Sequence, residues 1–130
     1  MSSGELGTGS AADRPAGADS ALRTVTGPDG ALICALTGDL DLDSMVEVQG
    51  PLREVVASAP DLLCVDLSGV GFCDSTGLNL LLQLRLDAEQ AGVPLVLAEP
   101  NPQMSRLFEL TGAGAVFRVF ESVEEACAAG

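Results

Sequence analysis

The sequence predicts an α/β domain with a mixed, mostly parallel β-sheet that opens with an antiparallel hairpin. Three observations lead to this prediction. Strand-like and helix-like segments alternate in the order β-β-α-β-α-β-α-β-α, which is typical of a parallel sheet with connecting helices. Residues 62–67 are almost continuously apolar, as expected of a strand covered on both faces. The turn signal Gly27-Pro28-Asp29-Gly30 separates two short strand-like runs and therefore predicts the hairpin.

The length of 130 residues suits a single domain. Residues 1–20 are rich in Gly, Ala, Ser and Asp and are predicted to be a disordered N-terminal tail, with the folded domain at residues 21–130. Strands are predicted at Leu22–Thr26, Ala31–Leu36, Leu62–Leu67, Val93–Ala98 and Ala115–Phe120. Four helices are predicted at Met45–Ala57, at Ser75–Ala91, from Pro102 to about Thr111, and after Ser122. Residues 37–44 and 68–74 are predicted to leave the sheet.

Local signals predict where several helices begin and end. Asp43 or Ser44 is expected to cap the first helix, and Pro51 inside it predicts a kink or a later start. Gly92 is expected to end the longest helix, because glycine adopts the left-handed conformation that closes a helix. Ser122 is expected to cap the last helix.

The composition of the chain argues against several classes of function. The net charge is -13, and all six basic residues are arginines, so the chain lacks the basic face that nucleic acids or anionic membranes require. A basic protein partner, or simple solubility, fits this charge better. The N-terminal residues do not resemble a signal peptide, and no apolar stretch is long enough to span a membrane. The sequence therefore predicts a cytoplasmic protein.

The chain has few of the residue types that usually form catalytic and metal sites. The chain has no histidine, which removes the usual general base and the commonest metal ligand. Its cysteines, Cys34, Cys64, Cys73 and Cys127, lack metal-site spacing and are expected to be small buried hydrophobes, with disulfides possible but not implied. The residues around Ser75 do not read G-x-S-x-G. We therefore expect no enzyme activity, cofactor or metal.

The helix at Ser75–Ala91 carries two apolar strips. A helical projection places one strip toward the core, formed by Gly77, Leu80, Leu81, Leu84, Ala88 and Ala91. Leu78, Leu82 and Leu86 lie off that face, and Ser75 precedes them on the same side. This second strip is either a docking surface or is covered by another helix of the domain. Ser75 is likewise either a helix cap or a switch residue, and Asp74 could be a loop carboxylate that accepts backbone amides.

Several short motifs occur together in one order. They are Gly38-Asp39-Leu40-Asp41, residues 62–70, Phe72-Cys73-Asp74-Ser75-Thr76-Gly77-Leu78, Leu110-Thr111-Gly112, residues 117–120 and residues 122–126. Over about residues 22–128 the chain resembles the STAS domains of the anti-sigma factor antagonists. The resemblance implies the STAS fold, which agrees with the predicted element order.

The resemblance also implies a mechanism. Ser75 matches the serine that is phosphorylated in this family, beside Asp74, which would orient the site, and Thr76, which would pack or cap beside it. The unphosphorylated antagonist binds an anti-sigma factor that is also a serine kinase with the ATP-binding fold of histidine kinases, and so releases the sigma factor. A serine phosphatase reverses the phosphorylation. The expected partner-binding residues are Asp39, Asp41, Asp74, Ser75, Thr76, Leu78, Asn79, Leu82 and Leu86.

Two other functions remain open at this point. STAS modules also occur as sensors of small ligands and as scaffolds of stress-signalling complexes. Cys73 stands where family members often carry a bulkier apolar residue, and a thiol beside the switch serine could sense oxidants. A helix start would lower the pKa of the Cys73 thiol, whereas the neighbouring Asp74 carboxylate would raise it.

Overall fold

The computed structural model describes residues 21–129, so the predicted tail at residues 1–20 lies outside the described residues. The strands are β1 (Ala21–Thr26), β2 (Ala31–Leu40), β3 (Leu62–Cys73), β4 (Leu95–Ala98) and β5 (Val119–Phe120). The helices are α1 (Leu42–Ala57), α2 (Ser75–Ala91), α3 (Pro102–Thr111) and α4 (Val123–Ala129). The predicted order of strands and helices is confirmed.

The five strands form one mixed sheet in the order β1-β2-β3-β4-β5. β1 and β2 pair antiparallel, as the hairpin prediction requires, and every other neighbouring pair is parallel. The hairpin turn is one short 3₁₀ turn in which Asp29 and Gly30 adopt φ angles of 55° and 81°. Both residue types tolerate that left-handed conformation, which explains the turn signal.

β2 and β3 are longer than predicted, and residues 37–40 and 68–73 belong to the sheet. The parallel pairing continues from Thr37, which is opposite Gly69, to Leu40, which is opposite Cys73, with two shifts of register. A side chain at Gly69 would lie 2.6 Å from the Thr37 methyl group, so glycine permits the close approach of the strands. The sequence prediction ended these strands early because Gly, Asp and Ser are typical of turns, whereas here they occupy an irregular part of a ladder.

α1 begins at Leu42, three residues earlier than predicted. Its cap is Asp41 rather than Asp43 or Ser44, because the Asp41 carboxylate accepts the Ser44 amide while the Ser44 hydroxyl accepts the Asp41 amide. This reciprocal capping box stabilises the first turn. Pro51 lies on the exposed side within the helix and does not delay its start.

The predicted bounds of α2 and α3 and the predicted start of α4 are confirmed. Gly92 ends α2 with a φ of 74°, and Ser122 accepts the Glu125 amide at 3.0 Å at the start of α4. The two last strands are shorter than predicted. β4 begins only after Pro94, and β5 begins after a 3₁₀ turn at Ala113–Ala115.

Helices cover both faces of the sheet. α1, α2 and α3 pack on one face over the larger apolar core, whereas α4 packs on the other face over a smaller cluster. Cys34, Cys64 and Cys73 are fully buried and free, as expected of small core residues. Because three helices follow parallel strands on one side, their N-termini point toward the carboxyl edge of the sheet.

Candidate functional site at the carboxyl edge of the sheet

β2 and β3 end side by side, and each passes directly into a helix. Leu40 pairs with Cys73, and the Asp74 amide donates to the Leu40 carbonyl at 3.2 Å. The residue after each strand is an aspartate that caps the next helix, Asp41 for α1 and Asp74 for α2. The positive ends of two helices therefore lie next to each other at this edge.

Asp74, and not Ser75, caps α2. One oxygen of the Asp74 carboxylate accepts the amides of Thr76 and Gly77 at 2.9 and 3.1 Å. The expectation that Asp74 accepts backbone amides is confirmed, and the alternative that Ser75 is the cap is wrong. Ser75 is the first residue of α2 and is exposed, with Thr76 partly exposed beside it. The Ser75 hydroxyl therefore lies at a helix N-terminus, where backbone amides favour a negatively charged group.

Gly77 lets α2 lie directly on the strand ends. A methyl group at this position would collide with the Leu40 carbonyl oxygen, and it would lie 2.7 Å from the Leu40 Cβ and 3.0 Å from the Cys73 sulfur. Only a residue without a side chain fits this gap. Gly77 thus fixes the height of the first turn of α2, and with it Ser75, above the sheet.

α3 holds the end of β3 through two amide side chains that the sequence prediction missed. The Gln103 side chain accepts the Cys73 amide at 3.0 Å and donates to the Cys73 carbonyl at 2.7 Å. Asn101 caps α3 through the Met104 amide and donates to the carbonyls of Val70 and Gly71. The sequence signal for the cap, Asn before Pro102, was visible, but the contacts with β3 depend on the tertiary fold.

Cys73 is poorly suited to redox sensing. Its side chain is fully buried, and burial, aided by the Asp74 carboxylate, raises the pKa of the thiol from 9.0 to about 12. The thiolate is the reactive form of cysteine, so its population near neutral pH is very small. The structure thus argues against the interpretation that Cys73 senses oxidants.

The remaining acidic residues expected at the site lie at the same edge. Asp39 is exposed near the end of β2. A Cβ at Gly71 would lie 3.1 Å from the Asp39 carboxylate oxygen. Asp41 is partly exposed in its capping position. Asn79 is exposed one helical turn after Ser75. These side chains place two carboxylates and one amide at the edge of the sheet where Ser75 lies.

The predicted strip of exposed leucines on α2 is only partly present. The predicted exposure of Leu78 is wrong, because this side chain is 5% exposed and belongs to the larger core. Leu82 is partly buried against the same core, and only Leu86 is well exposed. Ala91, predicted to face the core, is exposed. Tertiary packing therefore covers most of the second strip, which was the other alternative left open by the sequence.

Other large apolar side chains are exposed near the carboxyl edge. Leu42 and Val46, on the first two turns of α1, are 61% and 75% exposed, and Phe72, next to the last residue of β3, is 45% exposed. All three belong to elements that begin or end beside Ser75. We refer to Leu42, Val46 and Phe72 as the apolar rim.

Two kinds of site are absent from the part of the chain that the structure describes. Residues 21–129 contain no group of three or more acidic, cysteine or histidine side chains placed to hold a metal ion. None of the helices in the same range has the length and apolar character needed to cross a membrane.

The fold and the Asp-Ser-Thr-Gly turn between β3 and α2 define the class of protein. Residues 24–119 match the family described as "Mlab, STAS domain", so the chain belongs to the STAS domain family. The resemblance noted from the sequence motifs is confirmed.

Several similar proteins within that family are anti-sigma factor antagonists. The chain is 30% identical over 108 residues to the anti-sigma-F factor antagonist RsfB of Mycobacterium tuberculosis, which covers 83% of this chain and 88% of the relative. Its fold is similar to an anti-sigma factor antagonist from Mycobacterium paratuberculosis, with a TM-score of 0.74, 24% identity and coverage of 84% and 93%. It is also similar to the phosphorylated form of the Bacillus cell fate determinant SpoIIAA, with a TM-score of 0.65, 21% identity and coverage of 83% and 97%.

Proposed function

We propose that this protein is a non-catalytic, cytoplasmic anti-sigma factor antagonist that is switched off by phosphorylation of Ser75. In its unphosphorylated form it binds an anti-sigma factor, which is also a serine kinase with a histidine-kinase-like ATP-binding fold, and thereby releases the sigma factor. A serine phosphatase returns it to the binding form. One observation carries this proposal: Ser75 is exposed at the first position of α2, directly after a turn whose backbone is hydrogen-bonded by the side chains of Asp74 and Gln103.

The surroundings of Ser75 explain how a phosphate would act. It would add about -1.5 to -2 charges at neutral pH. The N-terminus of α2 would favour this charge locally, so the modified state is compatible with the fold. The phosphate would also stand beside the Asp74 carboxylate on an acidic surface. A partner that packs over this edge would have to desolvate the added charge, which weakens the complex.

The apolar rim is the docking surface that we assign to the anti-sigma factor. It replaces the strip that includes Leu78, because a buried side chain is not available to a partner. Its exposed apolar side chains lie among Asp39, Asp41 and Asp43, so the complementary partner surface has an apolar centre and basic flanks. Asn79 remains part of the proposed surface, whereas Leu82 and Leu86 lie about two and three turns after Ser75 along α2.

Substitution of Ser75 tests the switch. The Ser75→Ala variant should bind the anti-sigma factor as the wild type does but should not be phosphorylated, because the hydroxyl is lost. The Ser75→Asp variant should bind at least about 10-fold more weakly, which corresponds to about 1.4 kcal/mol. Calorimetry with the purified partner gives the affinities, and mass spectrometry after incubation with the partner and ATP locates the phosphate.

The outcomes separate the parts of the proposal. Phosphate on a residue other than Ser75 would refute the assignment of the switch residue. Equal affinities of Ser75→Asp and the wild type would refute the charge mechanism while leaving the antagonist function intact. Thr76→Ala is a matched control, because Thr76 is the neighbouring hydroxyl and should not be the acceptor of the phosphate.

A charge placed in the apolar rim tests the docking surface. Val46→Asp should weaken binding of the unphosphorylated protein by about 10-fold or more, because an unpaired carboxylate would be buried at the interface. Val25→Asp is the matched control, since Val25 is an exposed valine of β1 near the hairpin turn, away from Ser75. Equal loss of affinity in both variants would indicate a general effect of charge and not a local contact.

A further inference from the structure

We propose that Cys64 and Cys127 form an intramolecular disulfide when the protein meets a peroxide, and that this bond fastens α4 to the centre of the sheet. The proposal concerns the face of the sheet opposite α1, α2 and α3. It does not depend on the function assigned to Ser75.

The packing of α4 brings the two thiols together. Cys64 lies on the central strand β3, fully buried in the smaller apolar cluster beneath α4. Cys127 lies on α4 and packs against the same cluster. The Cys127 thiol is close enough to the Cys64 thiol to contribute to the rise in its pKa, and both cysteines are free. The packing of α4 on β3 therefore places both thiols within one apolar cluster.

The other two cysteines are placed differently. Cys34 neighbours Cys64 across β2 and β3, but it pairs with Val65, so its side chain points to the opposite face of the sheet. Cys73 lies at the carboxyl edge, where its thiol donates to the Asp74 carbonyl at 3.4 Å. The fold thus selects one of the possible cysteine pairs.

A small oxidant can reach Cys127 from solvent. Cys127 is partly exposed and lines an open cavity of about 410 Å³ between α4 and the hairpin turn. Pro28, Ile33 and Val123 also line this cavity. Hydrogen peroxide is little larger than water, so the cavity admits it to the Cys127 sulfur but leaves Cys64 covered.

The order of the two chemical steps follows from this difference in access. The Cys127 thiol loses its proton and the thiolate attacks one peroxide oxygen; the O–O bond breaks, the departing hydroxide takes up that proton as water, and Cys127 becomes a sulfenic acid. Burial raises the pKa of the Cys64 thiol to about 12, which makes it a poor first nucleophile. Cys64 then attacks the sulfenic sulfur as its proton leaves with the hydroxyl group as water. Overall, two thiols are oxidised to one disulfide and one peroxide is reduced to two waters.

Peptide mapping tests the bond directly. The full-length protein is treated with hydrogen peroxide, its remaining thiols are alkylated, and it is digested without reduction. We expect a cross-linked peptide pair that contains Cys64 and Cys127 and lacks two hydrogen atoms in mass. Dithiothreitol should restore both thiols. The oxidised protein should also unfold thermally at a higher temperature than the reduced protein, because the bond closes a loop of about half the chain.

Matched variants separate this pair from general oxidation. Cys127→Ser should abolish both the cross-link and the rise in melting temperature, whereas Cys34→Ser should retain them. Recovery of Cys127 only as sulfinic or sulfonic acid, with Cys64 still alkylated, would overturn the proposal. A cross-link between two copies of the chain would overturn it as well. These outcomes leave Ser75 untouched, so they are independent of the antagonist assay.

Discussion

The exposure of Ser75 depends on the residue that precedes it. Asp74 supplies the oxygen that accepts the first free amides of α2, so the serine hydroxyl has no capping role to perform. In many helices the capping residue is itself a serine, whose hydroxyl accepts those amides. Here Asp74 caps the helix, so the Ser75 hydroxyl can be modified without loss of the cap.

Gly77 is the position of the site that tolerates an added side chain least. Gly77→Ala should lower the free energy of unfolding by about 1–3 kcal/mol, because the new methyl group would meet the Leu40 backbone and the Cys73 sulfur. Gly50→Ala is the matched control, since Gly50 lies within α1 and a Cβ there meets no other part of the chain within 4 Å. That control should change the free energy of unfolding by no more than about 0.5 kcal/mol, because the helix preference of alanine is opposed by Pro51, which disfavours a side chain on the residue before it. Urea denaturation measures both changes.

The sign of the Gly77 effect is diagnostic. A stabilised Gly77→Ala protein would show that α2 can move away from the strand ends at little cost. Ser75 would then lack the fixed height above the sheet that we infer. A clear loss of stability for Gly77→Ala, beside little change for Gly50→Ala, is the expected result.

At the scale of elements, the Gln103 side chain joins α3 to β3 by making the pair of hydrogen bonds that a neighbouring strand would make. Gln103 pairs with both the amide and the carbonyl of Cys73, just before the turn that carries Ser75. Gln103→Leu should therefore lower the free energy of unfolding by about 1–3 kcal/mol, because two partly buried backbone groups lose their partner. Hydrogen exchange should become faster at the amides of Cys73 and Asp74.

The neighbouring helix provides the control for Gln103. Gln83 on α2 is exposed and donates a hydrogen bond to Asp87, one turn farther along the same helix, so Gln83→Leu should change stability by no more than about 0.5 kcal/mol. If Gln103→Leu leaves hydrogen exchange at the Cys73 amide unchanged, the hydrogen bonds from Gln103 do not stabilise the turn that carries Ser75. The end of β3 would then depend on its pairing with β2 alone.

The elements also show what the sequence could predict. The bounds of α2 and α3 and the start of α4 were predictable, since caps and glycines act through neighbouring residues. The full length of β3 was not, because Gly69 resembles a turn residue until its pairing with Thr37 of β2 is known. The burial of Leu78 was missed for the same kind of reason. A helical projection identifies which residues share a face, but the core that covers Leu78 comes from the whole domain.

At the scale of the molecule, the two candidate sites differ in how far the sequence could reveal them. The motif around Ser75 was sufficient to place the candidate site at the carboxyl edge, whereas Gln103 and the apolar rim became evident only from the fold. On the face of the sheet that α4 covers, no motif marked Cys64 and Cys127 as a pair, since their positions along the chain are far apart. Long-range contacts of this kind have no local signature in a single sequence.

The buried thiols also predict how the stability of the whole domain responds to alkaline pH. Burial raises the pKa values of Cys34, Cys64 and Cys73 from 9.0 to about 12. Below pH 9 both the folded and the unfolded chain keep these protons, so the thiols cause no pH dependence. Between pH 9 and about 12 the unfolded chain releases them while the folded chain retains them. The free energy of unfolding should therefore fall as pH rises through this window.

The composition of the chain makes this alkaline effect measurable. The chain has no tyrosine, and its six basic residues are all arginines, so lysine and tyrosine do not titrate in the same range. For Cys34 the expected loss at pH 10 is about 1 kcal/mol. Urea denaturation in dithiothreitol at pH 7.5, 9 and 10 measures the fall for the wild type and for Cys34→Ala. Although the variant starts less stable because it loses a core side chain, its stability should fall less steeply above pH 9. Parallel curves for the two proteins would show that ionisation of Cys34 does not contribute to the alkaline loss.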